Sequence, residues 1–419
     1  MSNWEPQRAL PLLLEEEQDA TLTALSAAGV GIIREDLPFR GRPLPWIRGE
    51  FWTSRQRQAS NLHEISYRAC YKPQLPRLFI EHLTVPGDLV YDPFSGRGTT
   101  ALEAALLGRR AAANDVNPLS EMLASPRLAP PELGAIRKRL ETIPKHGVEP
   151  DGLVLDMFYH PDTEAELRAL RAYFLDRTAQ GTFDALDAWI RMVATNRLTG
   201  HSPGFFSVYT LPPNQAVGAD KQRVLNEKRE QTPPYRDTHA LILRKSRQLM
   251  QGLEQAELEN LAGARDSALF LTGDARRTPS LPADSVALTV TSPPFLDVVH
   301  YAKDNWLRCW FCGLDAEAIG LGITMSRTVA AWSEVMGEVF RELHRITRPG
   351  GHVAFEVGEI RQGQVKLEEA VLPLGDLAGF EALGVLVNEQ DFTKTANIWG
   401  VSNNTHGTNS NRIVLFRKA

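Results

Sequence analysis

Cysteine is scarce in this sequence, three in 419 residues. That is too few for a disulfide framework in a chain of this size, and it fits a reducing compartment, the cytoplasm. Cys309 and Cys312 form a lone Cys-x-x-Cys inside the aromatic run from Trp306 to Phe311. With no second pair and no histidine cluster beside them, buried thiols are the better reading, and no metal site is expected. Long apolar runs are missing too: none reaches the roughly 18 residues of a membrane span. The opening MSNWEPQRAL lacks the basic-then-apolar pattern of a signal peptide. There is no overall basic excess either, the formal charge being −5, which argues against a dedicated nucleic-acid coat. What remains is a globular composition, 43% hydrophobic and 23% charged, long enough for a large core and more than one domain.

The charge is unevenly spread. Residues 191–250 hold ten Lys/Arg (Arg191, Arg197, Lys221, Arg223, Lys228, Arg229, Arg236, Arg244, Lys245 and Arg247) against Asp220, Glu227, Glu230 and Asp237, a local +6 that leaves −11 elsewhere. That asymmetry points to a phosphate-facing module, with a solvated helical face as the alternative.

Along the chain, residues 1–60 read as an irregular extension with scattered Pro, Trp and Arg, and residues 74–84 as a helix. Leu89 to Asp92 follows as a strand, Thr99 to Leu107 as a helix, and Arg110 to Asp115 as a second strand: a βαβ half-unit with glycines at its first turn. Residues 131–265 are mainly helical in character, apart from a loop-like stretch from His201 to Pro234, and read as an inserted domain. Strand patterns resume at Ala268 to Leu271 and Val286 to Val290. A helix from Trp332 to Ile346 leads through Arg348-Pro349-Gly350-Gly351 to a strand at His352 to Val357, and two further β segments lie at Gly384 to Val387 and Arg412 to Phe416. The fold class is therefore α/β, an open sheet built from residues 61–130 and 266–419 and split by the helical insert.

Two segments carry chemistry. Asp92-Pro93-Phe94-Ser95-Gly96-Arg97-Gly98-Thr99-Thr100 ends a buried strand and opens a helix. Gly96 and Gly98 permit a close backbone approach, and the helix start offers free N–H groups. No lysine follows the glycines, which excludes a P-loop. Asp115 ends the next strand, where a carboxylate can accept from both ribose hydroxyls; Asp274 ends the third, where it can accept from an adenine amine. A loop with an acid on each of the next two strands suits a nucleoside-bearing cofactor, an ordinary tight turn being the alternative. The second segment is Thr291-Ser292-Pro293-Pro294-Phe295. The prolines fix φ and remove two donors. The Pro293 carbonyl and the Ser292 hydroxyl then stand as acceptors for the two N–H bonds of an amino group, with Phe295 placed to stack on a flat ring.

These segments resemble the amino-methyltransferases of DNA, most closely the cytosine-N4 group. Asp92 to Thr100 is similar to that family's S-adenosylmethionine loop. Thr291-Ser292-Pro293-Pro294-Phe295 is similar to its catalytic motif, serine standing where Asp or Asn is common. Ser66 to Leu83, with Tyr71-Lys72-Pro73, resembles the segment covering the methionine part of the cofactor; Arg348 to Gly351 resembles a later turn, and Phe392 onward a C-terminal hairpin beside the target base. The resemblance implies a Rossmann-like methyltransferase sheet, mostly parallel with a C-terminal antiparallel hairpin, and a target-recognition role for the insert. It implies S-adenosylmethionine held by Tyr71, Lys72, Asp92, Pro93, Phe94, Gly96, Gly98, Thr99, Thr100, Asp115, Asn117, Asp274 and Ala275. Two departures stand out: Phe295 replaces the commoner tyrosine, and the insert follows the second strand, before Asp274.

The reaction implied is methyl transfer to N4 of a cytosine flipped from double-stranded DNA. Ser292, Pro293, Pro294 and Phe295 hold the base, and two acceptors offset the poor nucleophilicity of a ring-conjugated amine. Ring C5 methylation would need a cysteine nucleophile, usually in a Pro-Cys pair, and none is present; Ser292 lacks the Gly-x-Ser-x-Gly setting of an acyl-transfer nucleophile. Arg55, Arg57, Lys221, Arg223, Lys228 and Arg229 are phosphate candidates, Asn196, Arg197 and His201 base-edge candidates, and Asn404 lies in a polar loop able to fill the gap left by the base. Adenine N6, an amine on RNA and a non-catalytic DNA-binding scaffold are the alternatives. The role expected is restriction–modification or epigenetic marking, with a separately acting restriction endonuclease as a possible partner and no membrane association.

Overall fold

Four of the strands form where short, largely apolar runs end in an acid or a threonine: LVYD, RAAAND, LFLT and VALTVT. The computed structural model describes residues 20–52, 59–67, 70–149, 151–210, 217–294, 301–323, 326, 328–357, 366–389 and 411–419, excepting the side chains of Tyr301 and Ala302. Its strands are β1 (Val30–Phe39), β2 (Arg42–Glu50), β3 (Leu89–Asp92), β4 (Arg110–Asp115), β5 (Leu269–Thr272), β6 (Val286–Thr291), β7 (Thr347–Val357), β8 (Phe380–Asn388) and β9 (Asn411–Lys418). They make one sheet in the order β1-β2-β8-β9-β7-β6-β3-β4-β5. From β5 to β7 all pairs are parallel, and β9 runs antiparallel to both β7 and β8. This is a mostly parallel, Rossmann-like sheet.

The central strands are apolar on both faces because helices cover both. On β3, Leu89 and Tyr91 join one core with β7 and β9 residues and helices α13 (Val329–Ile346) and α14 (Leu367–Leu377). Val90 points the other way, onto α2 (Gln74–Leu83) and α3 (Thr99–Leu106). The short helix α4 (Leu119–Ala124) follows β4.

Between β4 and β5 run α5 (Leu133–Thr142), α6 (Pro161–Ala179), α7 (Ala185–Thr195), α8 (Ala219–Lys228), α9 (Thr238–Met250) and α10 (Gln255–Arg265). Their core is continuous with the sheet's outer helices: Trp189 and Ile242 pack with Leu106, Leu119 and Leu123 and with Phe311 of α11 (Tyr301–Cys312). A short α12 (Ala316–Gly322) follows. No described helix is long and apolar enough to cross a membrane.

Two expectations are corrected. Over residues 20–50 the extension is regular: residues 20–27 form α1, and β1 and β2 make a hairpin whose β2 pairs parallel with β8 through Trp46 to Gly49. The hairpin turns at Arg40 and Gly41, both at positive φ (49° and 78°), the geometry of a two-residue turn. Pro43 and Pro45 fall in the part of β2 that pairs only with β1, so they cost no bond to β8. Helix α8 occupies part of the stretch read as loop. The run from Asp237 to Leu261 is two helices, broken at Gly252 (φ 83°).

Candidate active site

The chain goes from β3 outward to β4 and β5, then returns to β6 on β3's other side. Between β3 and β6 the strand order reverses, and open α/β sheets bind ligands in the crevice beyond the strand ends at such a point. Asp92 ends β3 and Thr291 ends β6, and the Thr291 hydroxyl donates to Asp92 Oδ1 at 2.6 Å. Two segments 199 residues apart in sequence therefore meet, and Ser292 is the next residue along.

Asp92 anchors the cofactor-loop side. Its Oδ2 accepts from the Tyr71 hydroxyl (2.6 Å) and its Oδ1 from the Phe94 N–H (3.1 Å). Tyr71 also lies 2.5 Å from Thr100 Oγ1, which donates to the Val290 carbonyl (3.0 Å). Asp92, Thr100 and Thr291 are fully buried, and burial pushes the Asp92 carboxyl above its ordinary range. Burial also lowers the Lys72 amine.

Gly96 and Gly98 adopt left-handed φ of 53° and 76°. Gly98 precedes α3 and offers no side-chain cap, so the helix start keeps free N–H groups. A Cβ on Gly98 would lie 2.4 Å from that of Ala124, whereas one on Gly96 would meet only the Tyr67 ring at 3.6 Å. Gly96 N–H donates to Asp115 Oδ2 (2.8 Å) and Asn117 N–H to Asp115 Oδ1 (2.9 Å). Burial raises the Asp115 carboxyl to about 6 against the pull of those two donors. Asn117 donates to the Tyr67 hydroxyl (3.3 Å), and Pro93 offers its carbonyl to Asn114. Thr99 is buried and accepts from Arg97 Nε (3.1 Å).

Ala275 is buried among β3 and β4 residues. Asp274 is exposed at the end of β5, where Arg276 grips it through Nε and Nη2 at 2.6–3.0 Å and lowers its pKa.

At the catalytic corner, Ser292 donates to the buried Glu356 of β7, whose Oε1 also accepts from Asn411 (2.9 Å). Burial raises the Glu356 carboxyl. The Pro294 carbonyl accepts from the Trp332 indole N–H at 3.0 Å. Glu356, Tyr67 and Trp332 were not singled out from sequence. A glutamate inside the apolar run of β7 was the available signal for the first.

Phe295, Arg55, Arg57 and Asn404 lie outside the described residues, as do residues 392–410. Lys221, Arg223, Lys228 and Arg229 are exposed on and just beyond α8; Arg223 pairs with Asp156 (2.8 Å) and Arg229 lies over the Tyr209 ring (3.9 Å). His201 is exposed. Asn196 is buried with its amide spent on Ser66 N–H (2.8 Å) and the Glu64 carbonyl (3.2 Å), a bracing position for the 64–66 segment. Arg197 is buried beside it, stacked 4.0 Å over Phe205. Cys309 and Cys312 are buried free thiols, and no cluster able to hold a metal occurs among the described residues.

A family model described as DNA methylase, covering N6 and N4 enzymes, matches residues 40–120. No curated protein matches. Among solved structures, the chain is similar to a Thermus thermophilus protein assigned as a DNA modification methylase (25% identity, 35% of this chain and 50% of that one, TM-score 0.21). The same protein complexed with S-adenosyl-L-methionine matches at 24% identity over 35% and 53%, TM-score 0.22. An rRNA methyltransferase from Streptomyces viridochromogenes matches at 14% identity over 86% and 90%, TM-score 0.33. The chain spans about half the length of the Thermus structures it matches.

Proposed function

We propose, from the similarity of residues 40–120 to the DNA methylase family model that covers N6 and N4 enzymes, that the chain methylates the exocyclic N4 of cytosine in double-stranded DNA, with S-adenosylmethionine as donor. The observation that carries the reading is the Thr291–Asp92 hydrogen bond, which sets the Ser-Pro-Pro corner beside the glycine loop.

The residues present fit the donor. The two left-handed glycines let the loop turn tightly against Tyr67 and Ala124, and Asp115 keeps lone pairs for ribose hydroxyls after taking one N–H on each oxygen. Asp274 and Ala275 flank the adenine end, and Tyr71, Lys72 and Asp92 the methionine end. Bound there, S-adenosylmethionine supplies a methyl group on a sulfonium. The rest is done by the chain. Ser292 keeps its proton and donates it as a hydrogen bond to Glu356, which leaves the lone pairs of its oxygen for the amine. The Pro293 carbonyl takes the second N–H. Trp332 fixes the Pro294 carbonyl and with it the corner. The amine is then held with its lone pair aimed across the crevice, a preorganised electrostatic contribution. The target base leaves the stack, because a paired N4 has no route to the crevice. The insert, residues 131–265, serves as target-recognition domain, and the biological setting is restriction–modification or epigenetic marking.

The test is digestion of DNA exposed to the protein and S-adenosylmethionine, with the nucleosides identified by mass. N4-methylcytosine is expected. N6-methyladenine would replace the base assignment, and no modified nucleoside from protein that binds the donor would overturn the catalytic one.

A further inference from the structure

A second cavity, about 420 Å³, opens on the seam between the insert and the sheet, lined by Glu64, Ser66, Tyr67, Arg97, Arg197 and Lys245. Its charges do not balance. Glu64 is its one carboxylate, and Lys245 Nζ takes it at 2.8 Å. Arg97 ends on neutral acceptors: Thr99 Oγ1 and the carbonyls of His63, Ile65 and Tyr71. Arg308, close to Arg197, likewise ends on Asn305 and the Ser66 carbonyl.

Arg197 is the decisive group. It is 9% exposed, yet only its Nε is engaged, on the Asn196 carbonyl at 3.0 Å. Its terminal nitrogens have no hydrogen bond among the described residues, and the Phe205 ring fixes the plane of its guanidinium at 4.0 Å. Burial pulls its pKa down to about 10 against the opposing pull of Glu64, with Arg308 and Arg244 adding to the fall. Glu64 is already taken by Lys245, and a guanidinium held in one plane with its terminal nitrogens open to the cavity suits an anion with two adjacent oxygens.

The cavity adjoins the glycine loop through Arg97 and reaches the insert through Arg197 and Lys245. The 64–67 segment joins the two sides: the Tyr67 hydroxyl accepts from Asn117, two residues past Asp115, while the backbone at Glu64 and Ser66 is braced by Asn196 of the insert. A single negative charge at the rim of a DNA-methylating crevice, reached from the insert, suits the nucleic-acid backbone. We propose that Arg197, with Lys245 and Arg97 supplying the surrounding field, binds one phosphodiester of the DNA. This inference rests on the DNA substrate proposed above.

The experiment is a salt titration of duplex binding by fluorescence anisotropy, for the wild type, Arg197→Gln and Arg197→Lys, with donor affinity measured by calorimetry. For Arg197→Gln the slope of log K against log salt is expected to fall by about one while donor affinity holds; Arg197→Lys restores the slope and shows that the effect follows charge, not folding. An unchanged slope in Arg197→Gln overturns the assignment. So does a loss of donor affinity at unchanged slope, which would make the cavity a cofactor carboxylate site. A wild type that binds no duplex at any salt fails the functional reading itself, and the phosphate site with it.

Discussion

At the scale of single residues, Asp92 is the node between the two chemical segments. Its carboxylate accepts from the Thr291 and Tyr71 hydroxyls and from the Phe94 N–H, and these donors oppose the upward push of burial on its pKa. Asp92→Ala leaves all three donors without their acceptor and is expected to lose melting temperature and methylation rate together, whereas Asp92→Asn keeps one acceptor oxygen and is expected to lose less of both; equal losses for the two variants in melting and turnover assays would refute the node. Asp115 has the clearer pH signature. Its folded pKa, about 6, lies above the ordinary range. The native state thus favours its proton, and the stability this gives is full at low pH and is lost as pH rises through about 6. Asp115→Asn should flatten that decline in denaturant midpoints between pH 4 and 7; a decline as steep as in the wild type would sink the assignment. Ser292→Ala is expected to bind donor normally and lose most turnover, since the Glu356-directed hydroxyl disappears while the glycine loop stays intact.

At the scale of elements, the parts that sequence made legible are those where local chemistry and burial agree. Leu89 to Asp92, the two glycines and Ala111 to Asp115 announce strand, turn and strand, because both faces of β3 and β4 are covered and their ends are acidic. What stayed hidden depends on partners far along the chain. β1 is almost wholly exposed and shows no period, and β2 takes its place only through β8, more than 330 residues on. Glu356 looks like a misplaced charge until β6 brings Ser292 beside it, and Asn196 looks like a polar probe until the 64–66 segment folds over it. The glycine loop gives a graded prediction. Gly96→Ala meets no close neighbour and bears only the left-handed strain, roughly 1–2 kcal/mol. Gly98→Ala adds a 2.4 Å approach to Ala124 that α4 must move to relieve. The second variant should melt well below the first and lose donor affinity; equal melting temperatures would mean that the loop is not packed against α4 as described.

At the scale of the molecule, the negative net charge and the positive insert divide the work. A chain at −5 is repelled by DNA on average, so productive binding must come from a local field. Helix α8 and the residue after it carry Lys221, Arg223, Lys228 and Arg229, all exposed; the Arg223–Asp156 pair is a surface pair worth little to stability. Changing all four to glutamine should therefore leave the melting temperature nearly unchanged. If each cation displaces one counterion from the DNA, the salt slope of duplex binding falls by about three to four, against about one for Arg197→Gln. Donor affinity should hold, because among the described residues the α8 side chains bond to Asp156, Met157 and Tyr209 and not to the glycine loop. An unchanged slope in the quadruple variant would return α8 to an ordinary solvated face. DNA docking would then fall to the remaining cations of residues 191–250.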